Sequence, residues 1–301
     1  MSVTPPVSIV VPAYNQAAYL DEAIGSVLAQ TGPQVELIVL DDGSTDATRR
    51  VLEKYAGRFH WESQANMGQA ATLNKGWAMA SGGILGYLSA DDYLRPDAVR
   101  RAFDTLAASP EAVLVYPDFE QVDEHSKTIN VVRTPEFDYA DMVLKAVCPP
   151  GPGAFFRRSA YAAAGGWNPE LRRIPDFEFW LRLGLAGPFR RIPEVLACYR
   201  VHGASQSFSA VDEARADEII GAIGAVLSNP KMPGNIRRRR AQAEANALLH
   251  AARLHLLSGR AANALARIAA AVRADPLAAL RPPGYRLILG GLWWRLRGAG
   301  T

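Results

Sequence analysis

Short apolar segments alternate with helical patterns along the first 116 residues. Apolar runs flanked by turn residues are typical of buried strands, and here they occupy residues 7–11, 35–40, 59–63, 84–88 and 112–116. The segments between them have helical spacing, at residues 19–30, 46–55, 69–80 and 96–108. Strands that are apolar on both faces and joined by helices predict an α/β fold with a parallel sheet, covered on both sides and connected by right-handed crossovers.

Polar and aromatic segments follow three of these strands, and two of the segments contain a pair of adjacent acids. They are Pro12-Ala13-Tyr14-Asn15, Asp41-Asp42-Gly43-Ser44-Thr45-Asp46 and Ser89-Ala90-Asp91-Asp92. In open α/β sheets, ligands bind at the carboxyl ends of the strands, and carboxylate oxygens there suit a divalent cation that holds phosphates. A turn followed by a helix cap explains Gly43, Ser44 and Asp46 equally well, but capping does not require Asp41.

Composition indicates an ordinary soluble protein, since 49% of the 301 residues are hydrophobic and 21% are charged. The only two cysteines, Cys148 and Cys198, argue against a disulfide scaffold and against a cysteine-rich zinc site. The first residues lack the charged and apolar regions of a signal peptide. These features predict a cytoplasmic protein.

Charge divides the chain into two parts. Residues 1–210 hold 19 Lys/Arg and 24 Asp/Glu, whereas residues 211–301 hold 14 and 6, so that the net charges are −5 and +8. The second part is rich in alanine and has helical spacing without strand patterns. We therefore predict an α/β domain at 1–210 and a basic α-helical extension at 211–301.

Four ordered blocks of the first part resemble family 2 glycosyltransferases of the GT-A fold. The blocks are residues 7–15, residues 40–46, Asn66-Met67-Gly68 with Asn74-Lys75-Gly76, and Ser89-Ala90-Asp91-Asp92. Four blocks in order are far more specific than any one of them. The resemblance covers roughly two thirds of the chain and implies a Rossmann-like, mostly parallel sheet and a nucleotide-sugar donor, with UDP-sugars the first candidates.

The resemblance also implies roles for residues of these blocks. Pro12 and Tyr14 would lie against the nucleotide, and Asp41 would accept hydrogen bonds from the base. Asn66, Gly68 and Asn74 would lie beside the nucleotide, although a turn and a helix start explain each of them singly.

The resemblance further implies that Asp92 ligates Mn²⁺ or Mg²⁺ and that Asp91 contacts the ribose or the metal. Ser89 departs from the family's Asp-x-Asp pattern, so which of the two acids ligates the ion stays open.

Four further roles follow from the resemblance in the later part of the first domain. Asp176 would be the general base for the acceptor hydroxyl, with a helix cap as the alternative. Arg200 would meet phosphate oxygens, and His202 would ligate the metal, with an ordinary surface histidine as the alternative. Trp167 would offer its face to a sugar ring or belong to the core.

The C-terminal part contains a helical hairpin that weakly resembles a tetratricopeptide unit. Ala264, Leu265 and Ala271 would occupy its small or apolar positions, and a single unit must dock on neighbouring structure. Two basic segments, residues 237–240 and 285–297, suit a peripheral membrane contact, whereas a solvated helix face explains the first equally well. No reading motif for nucleic acid is present, so we expect no nucleic-acid partner.

These features together predict an inverting, metal-dependent glycosyltransferase acting on a saccharide or lipid-linked acceptor in surface polysaccharide or glycolipid synthesis. Two alternatives remain open. One is a non-catalytic scaffold on a vestigial nucleotide-binding fold. The other is a phosphohydrolase of the haloacid dehalogenase type, because Asp41-Asp42-Gly43-Ser44 superficially resembles the nucleophile loop of that family.

Overall fold

The computed structural model describes residues 6–203, 211–281, 284, 286 and 287. The chain forms two compact units, and both are discontinuous in sequence. The first unit comprises residues 1–137, 149–169 and 186–205, and the second comprises residues 138–148, 170–185 and 206–301.

The first unit contains a mixed sheet, which has nine strands within the described residues, in the order β3-β2-β1-β4-β8-β6-β9-β5 with β7 paired to β6. The strands are β1 Val7–Ala13, β2 Val35–Asp41, β3 His60–Ser63, β4 Ile84–Tyr87, β5 Tyr93–Leu94, β6 Leu114–Val122, β7 Thr128–Val132, β8 Phe155–Arg157 and β9 Phe189–Arg200. Strands β1 to β4 pair in parallel, as expected from the alternating pattern. Beyond β4 the sheet is mixed, since β8 runs antiparallel to both β4 and β6.

Helices cover both faces of the parallel strands. In the first unit they are α1 Leu20–Leu28, α2 Thr48–Glu53, α3 Gln69–Met79, α4 Ala98–Ala108 and α6 Arg158–Ala164. Ile9 of β1 belongs to a buried cluster that includes apolar residues of α1, α2 and α4. Its neighbour Val10 faces α3, where a Cβ on Gly76 would lie 2.4 Å from Val10 Cγ1. Glycine therefore permits the close approach of α3 to β1, and the α/β fold class is confirmed.

The second unit is helical. Its helices are α5 Tyr139–Lys145, α7 Pro175–Leu183, α8 Glu213–Leu227, α9 Gly234–Arg237, α10 Arg240–Leu257 and α11 Ala261–Ala274. Asn246 of α10 donates from Nδ2 to the carbonyl oxygen of Leu144, which ties α10 to α5. Segments 138–148 and 170–185 thus group with the C-terminal helices, whereas the sequence suggested one boundary after residue 210. That the two ranges are separate domains stays a prediction.

The predicted helical hairpin corresponds to α10 and α11, but one of its core positions differs. Ala264 and Ala271 are buried as expected, whereas Leu265 is 66% exposed. The small residues face α10 and Leu265 lies on the outer side of α11, because a helical hairpin buries only one stripe of each helix.

One predicted membrane segment falls largely outside the described residues. Of residues 285–297, only 286 and 287 are described. Within the described part of the chain, no helix has both the length and the hydropathy needed to cross a membrane.

Candidate functional site

Asn15 links the end of β1 to the loop that follows β2 through hydrogen bonds. Its φ of 53° lies in the left-handed region, which asparagine tolerates better than most residues. Its Oδ1 accepts from the backbone N of Thr45 at 2.8 Å, and its own N donates to Ser44 Oγ at 2.9 Å. Tyr14, one position earlier, is 50% exposed. The sequence predicts no role for Asn15, although an asparagine beside a strand end is typical of such a conformation.

Asp41 is buried at the carboxyl end of β2 and fixed by two donors. Its Oδ1 accepts from the N of Ser44 at 3.1 Å and its Oδ2 accepts from Ser63 Oγ at 2.8 Å. Pro12 is buried within β1, where the neighbouring Ala13 pairs with Asp41. Both predicted nucleotide-binding residues therefore belong to the same edge of the sheet, as the sequence suggested.

Asp42, for which the sequence predicts no role, binds the loop that carries Asn66 and Gly68. Its two carboxylate oxygens accept from the backbone N of Met67 and of Gly68, each at 2.8 Å. A Cβ on Gly43 would lie 2.8 Å from Asn66 N, so the loop passes directly over the β2 turn. The two adjacent acids thus have different partners. Asp41 binds the turn after β2, and Asp42 binds the loop that carries Asn66 and Gly68. Asn66 itself is exposed.

Asn74 and Trp167 bind each other. Asn74 Nδ2 donates to the carbonyl oxygen of Trp167, and Asn74 Oδ1 accepts from the N of Trp167, both at 2.8 Å. Trp167 is 3% exposed and packs edge-on against Tyr87 and Trp77. The structure therefore supports the alternative in which Trp167 belongs to the core. The side-chain amide of Asn74 holds the backbone of Trp167 in place and does not lie open beside a ligand.

The paired acids after β4 have different environments. Asp92 is buried, and its Oδ1 accepts from the backbone N of Arg200 at 2.8 Å. Burial, together with the neighbouring charge of Asp91, raises the pKa of Asp92 well above its usual range. Asp91 is more exposed, and its Oδ2 lies 3.0 Å from His202 Nε2. Two of the three predicted metal ligands, Asp91 and His202, therefore meet.

Arg200 differs from its predicted role at phosphate oxygens, because its side chain is only 1% exposed. Its Nε donates to the carbonyl oxygen of Asp91 at 2.8 Å, and its Nη1 donates to that of Asp123 at 2.9 Å. Its Nη2 donates to Glu22, and the guanidinium lies 4.6 Å from the ring centre of Tyr19. The guanidinium therefore supports the Asp91-Asp92 turn from within the protein.

Asp176 lies in the first turn of α7, in the second unit. It is partly exposed, and its Oδ1 accepts from the N of Phe177 at 2.8 Å. The partial burial of this carboxyl raises its pKa above its ordinary value. A carboxylate with a raised pKa is a stronger base than an exposed aspartate, which is what proton abstraction from a hydroxyl requires.

Comparison with known proteins identifies the family. Residues 8–164 match the family described as "Glycosyl transferase family 2". The chain belongs to this family. The glycosyltransferase is 33% identical over 236 residues to an uncharacterized glycosyltransferase of Nostoc sp., covering 74% of this chain and 73% of that one. It is 31% identical to the chondroitin synthase of Escherichia coli over 69% of this chain, which corresponds to 31% of the synthase.

Solved structures share the fold of this glycosyltransferase. TarS of S. aureus, residues 1–349 in complex with UDP-GlcNAc, superimposes with a TM-score of 0.71 at 19% identity, covering 96% of this chain and 89% of that one. The mannosyltransferase PcManGT from Pyrobaculum calidifontis, in complex with GDP-Man and Mn2+, gives a TM-score of 0.60 at 20% identity, covering 98% and 88%. These likenesses confirm the predicted GT-A fold.

The Asp91–His202 pair fits a divalent cation in this glycosyltransferase. Among the residues that the structure describes, no three His, Cys, Asp or Glu side chains form a cluster for a metal. A cation bound at phosphates commonly takes only one or two protein side chains, with phosphate and water oxygens as its other ligands. A carboxylate oxygen and an imidazole nitrogen 3.0 Å apart are suitable donors for Mn²⁺.

Proposed function

We propose that this glycosyltransferase moves a sugar from a nucleoside-diphosphate sugar to an acceptor hydroxyl, with inversion at the anomeric carbon. The observation that carries the proposal is the grouping, at the carboxyl ends of β1, β2 and β4, of the exposed Tyr14 ring, the fixed Asp41 carboxylate and the Asp91–His202 pair. A nucleotide sugar needs an aromatic surface, an acceptor for the base and cation ligands for the diphosphate.

The proteins that this chain resembles support a choice of donor and of product class for the proposal. TarS was solved with UDP-GlcNAc and PcManGT with GDP-Man and Mn2+, and we propose UDP-sugars as the first donors to test. The synthase relatives make chondroitin and, in Pasteurella multocida, hyaluronan, as their names state. This chain spans 31% and 21% of those synthases. We therefore propose polysaccharide or glycolipid synthesis as its role, with a saccharide or lipid-linked acceptor.

We propose that Asp91 and His202 hold the cation and that Asp92 fixes the turn that presents Asp91. The reason is that Asp92 is buried on the backbone of Arg200 whereas Asp91 faces His202. When bound, Mn²⁺ or Mg²⁺ would neutralise the negative charge that develops on the departing diphosphate. Asn66 and Gly68 remain proposed neighbours of the nucleotide, on a loop that Asp42 binds at the backbone N of Met67 and Gly68.

Asp176 is the proposed general base. It accepts the proton of the acceptor hydroxyl while that oxygen forms its bond to the anomeric carbon and the bond to the diphosphate oxygen breaks. A single displacement of this kind inverts the configuration and needs no covalent intermediate. Catalysis then rests on positioning the reactants and on stabilising the leaving group.

Donor binding is the direct test of the proposed function. We expect a UDP-sugar with Mn²⁺ to raise the melting temperature, since a ligand at 100 times its Kd stabilises a folded protein by about 2.7 kcal/mol. Thermal-shift titration of a nucleotide panel measures this, and NMR of the product gives the anomeric configuration. Tyr14→Ala should weaken binding, whereas Tyr55→Phe, which removes only the hydroxyl that donates to Asp21, should leave it unchanged.

Measurements of binding and of products also distinguish the proposed function from the two alternative functions. A vestigial nucleotide-binding fold would show no shift with any nucleotide, with or without the metal. A phosphohydrolase would release phosphate from simple phosphomonoesters and would depend on Asp41. A product that retains the donor's configuration would contradict the inverting mechanism.

We also propose a peripheral membrane contact, which would place the enzyme at the cytoplasmic face of a membrane near a lipid-linked acceptor. All four arginines of residues 237–240 are exposed. Arg237 donates to backbone carbonyls and Arg240 pairs with Glu244. Arg239 donates to the uncharged side-chain amide of Gln242 at 3.1 Å rather than to an acid, so Arg238 and Arg239 are the stronger candidates for anionic headgroups, together with the basic segment 285–297.

Vesicle pelleting tests this contact. We expect the protein to pellet with phosphatidylserine vesicles and not with neutral ones. Reversing both charges, Arg238→Glu with Arg239→Glu, should weaken binding at least tenfold, since each basic residue near an anionic surface contributes about 1 kcal/mol. Replacing Trp293 and Trp294 by serine tests the second segment. Absence of pelleting with anionic vesicles would refute the proposal.

A further inference from the structure

Glu218 of α8 binds the backbone directly ahead of α7. Its Oε1 accepts from the N of Arg172 at 2.8 Å, and its Oε2 accepts from the N of Arg173 at 2.9 Å and of Ile174 at 3.1 Å. One side chain thus receives three successive backbone N–H groups. All of these residues belong to the second compact unit.

This contact supplies part of a helix cap for α7, because Ile174 N belongs to the helix start, and it also binds the two backbone N–H groups just before it. Ile174 occupies the N-cap position and its side chain makes no capping hydrogen bond, and Pro175 follows as the first residue of the helix. The N–H groups at a helix start have no partners within the helix and attract negative charge. A carboxylate that accepts several backbone N–H groups also makes charge-assisted hydrogen bonds, which are stronger than neutral ones.

The segment that Glu218 holds is the one that presents Asp176, only two positions after Ile174. Because Pro175 has a fixed φ, the conformation of residues 172–174 determines the direction in which the first turn of α7 starts. A shift in that direction moves the carboxyl group of Asp176. An error of about 1 Å in the placement of a catalytic group costs on the order of 100-fold in rate.

We propose that Glu218 is a positioning residue for the general base, acting through the backbone of residues 172–174. The proposal rests on the proposed role of Asp176. It makes α8, which the charge pattern assigned to a C-terminal extension, a functional part of the enzyme. Glu218 itself need not touch the substrate.

A merely structural role for Glu218 would be to hold α8 against the start of α7. The neighbouring Asp217 provides a matched control, because it also lies on α8 and also makes strong contacts. It accepts from Arg267 Nε at 2.9 Å and lies 3.2 Å from His255 Nε2, on helices α11 and α10. Asp217→Asn therefore weakens the packing of α8 without touching residues 172–174.

The test compares Glu218→Ala, Glu218→Asp and Asp217→Asn in the full chain, with kcat, both KM values and melting temperature measured for each. We expect Glu218→Ala to lower kcat by about 10- to 100-fold, as for a misplaced catalytic group, with the donor KM changed less than about twofold. Glu218→Asp should recover part of the loss. Asp217→Asn should keep kcat within about threefold at a comparable loss of melting temperature.

A double-mutant cycle shows whether the effect passes through Asp176. If it does, Glu218→Ala should have little further effect on kcat in an Asp176→Asn background, because residues that act as a unit are not additive. Full additivity, or equal losses of kcat in Glu218→Ala and Asp217→Asn, would overturn the proposal. If Asp176→Asn alone keeps the full rate, the base assignment fails. A kcat loss in Glu218→Ala would then show that residues 172–174 position some other group.

Discussion

Asp176→Asn is expected to lower kcat by about 10²- to 10⁴-fold, the range that general base catalysis contributes. Asparagine has nearly the same shape and can still accept from the N of Phe177 through its Oδ1. It cannot take a proton from the acceptor hydroxyl. Steady-state kinetics with saturating donor measures the loss, and donor binding by thermal shift should stay close to that of the wild type.

Glu178 provides a control acid on the same helix. It forms an ion pair with Arg182 at 2.7 Å, which is a local contact within α7. Glu178→Gln should therefore lower kcat by far less than Asp176→Asn, although both changes remove one negative charge from α7. An Asp176→Asn protein that transfers sugar at the full rate would exclude Asp176 as the base.

The pH dependence of transfer gives a second readout for Asp176. Burial raises the pKa of this carboxyl, and only its deprotonated form is a base. Activity should therefore be low in acid, rise as the pH passes through the raised pKa, and level off above it. In the Asp176→Asn variant, the residual activity should no longer show this rise with pH, which forms the acidic limb of the pH profile. A limb that persists unchanged would belong to another group.

Asp91→Asn is expected to abolish the Mn²⁺-dependent part of donor binding and to lower transfer by at least about 100-fold, since a metal ion supplies several kcal/mol of charge stabilisation. The carboxylate of Asp91 faces His202, and its replacement removes the charged ligand of the proposed pair. Thermal-shift titration with UDP, with and without Mn²⁺, measures the metal-dependent part independently of turnover.

Asp92→Asn is the matched control for Asp91→Asn. The Oδ1 of an asparagine at position 92 can still accept from the N of Arg200, so the turn should keep its shape. We expect this variant to retain the Mn²⁺-dependent shift and most of the transfer rate. The opposite pattern, with Asp92→Asn losing the shift and Asp91→Asn keeping it, would assign the cation to Asp92.

The sequence by itself determined the fold class and the edge of the sheet at which we propose the donor site. Both follow from local signals. The period of apolar residues distinguishes strands from helices, and parallel strands in an α/β sheet place their carboxyl ends on one side. The placement of Tyr14, Asp41 and Asp91 at this edge could be predicted for this reason, because each lies shortly after the end of an apolar run.

Only the tertiary structure decided which partners these carboxylates have. Asp92 meets Arg200 across 108 positions of the chain, and Asp91 meets His202 across 111. The buried environment of Arg200 and the contact of Glu218 with residues 172–174 likewise join segments that are far apart in sequence. Hydrophobic patterns and turn residues specify which strand or turn carries a side chain. Its hydrogen-bond partners depend on segments that are far away in the sequence and pack beside it in the fold.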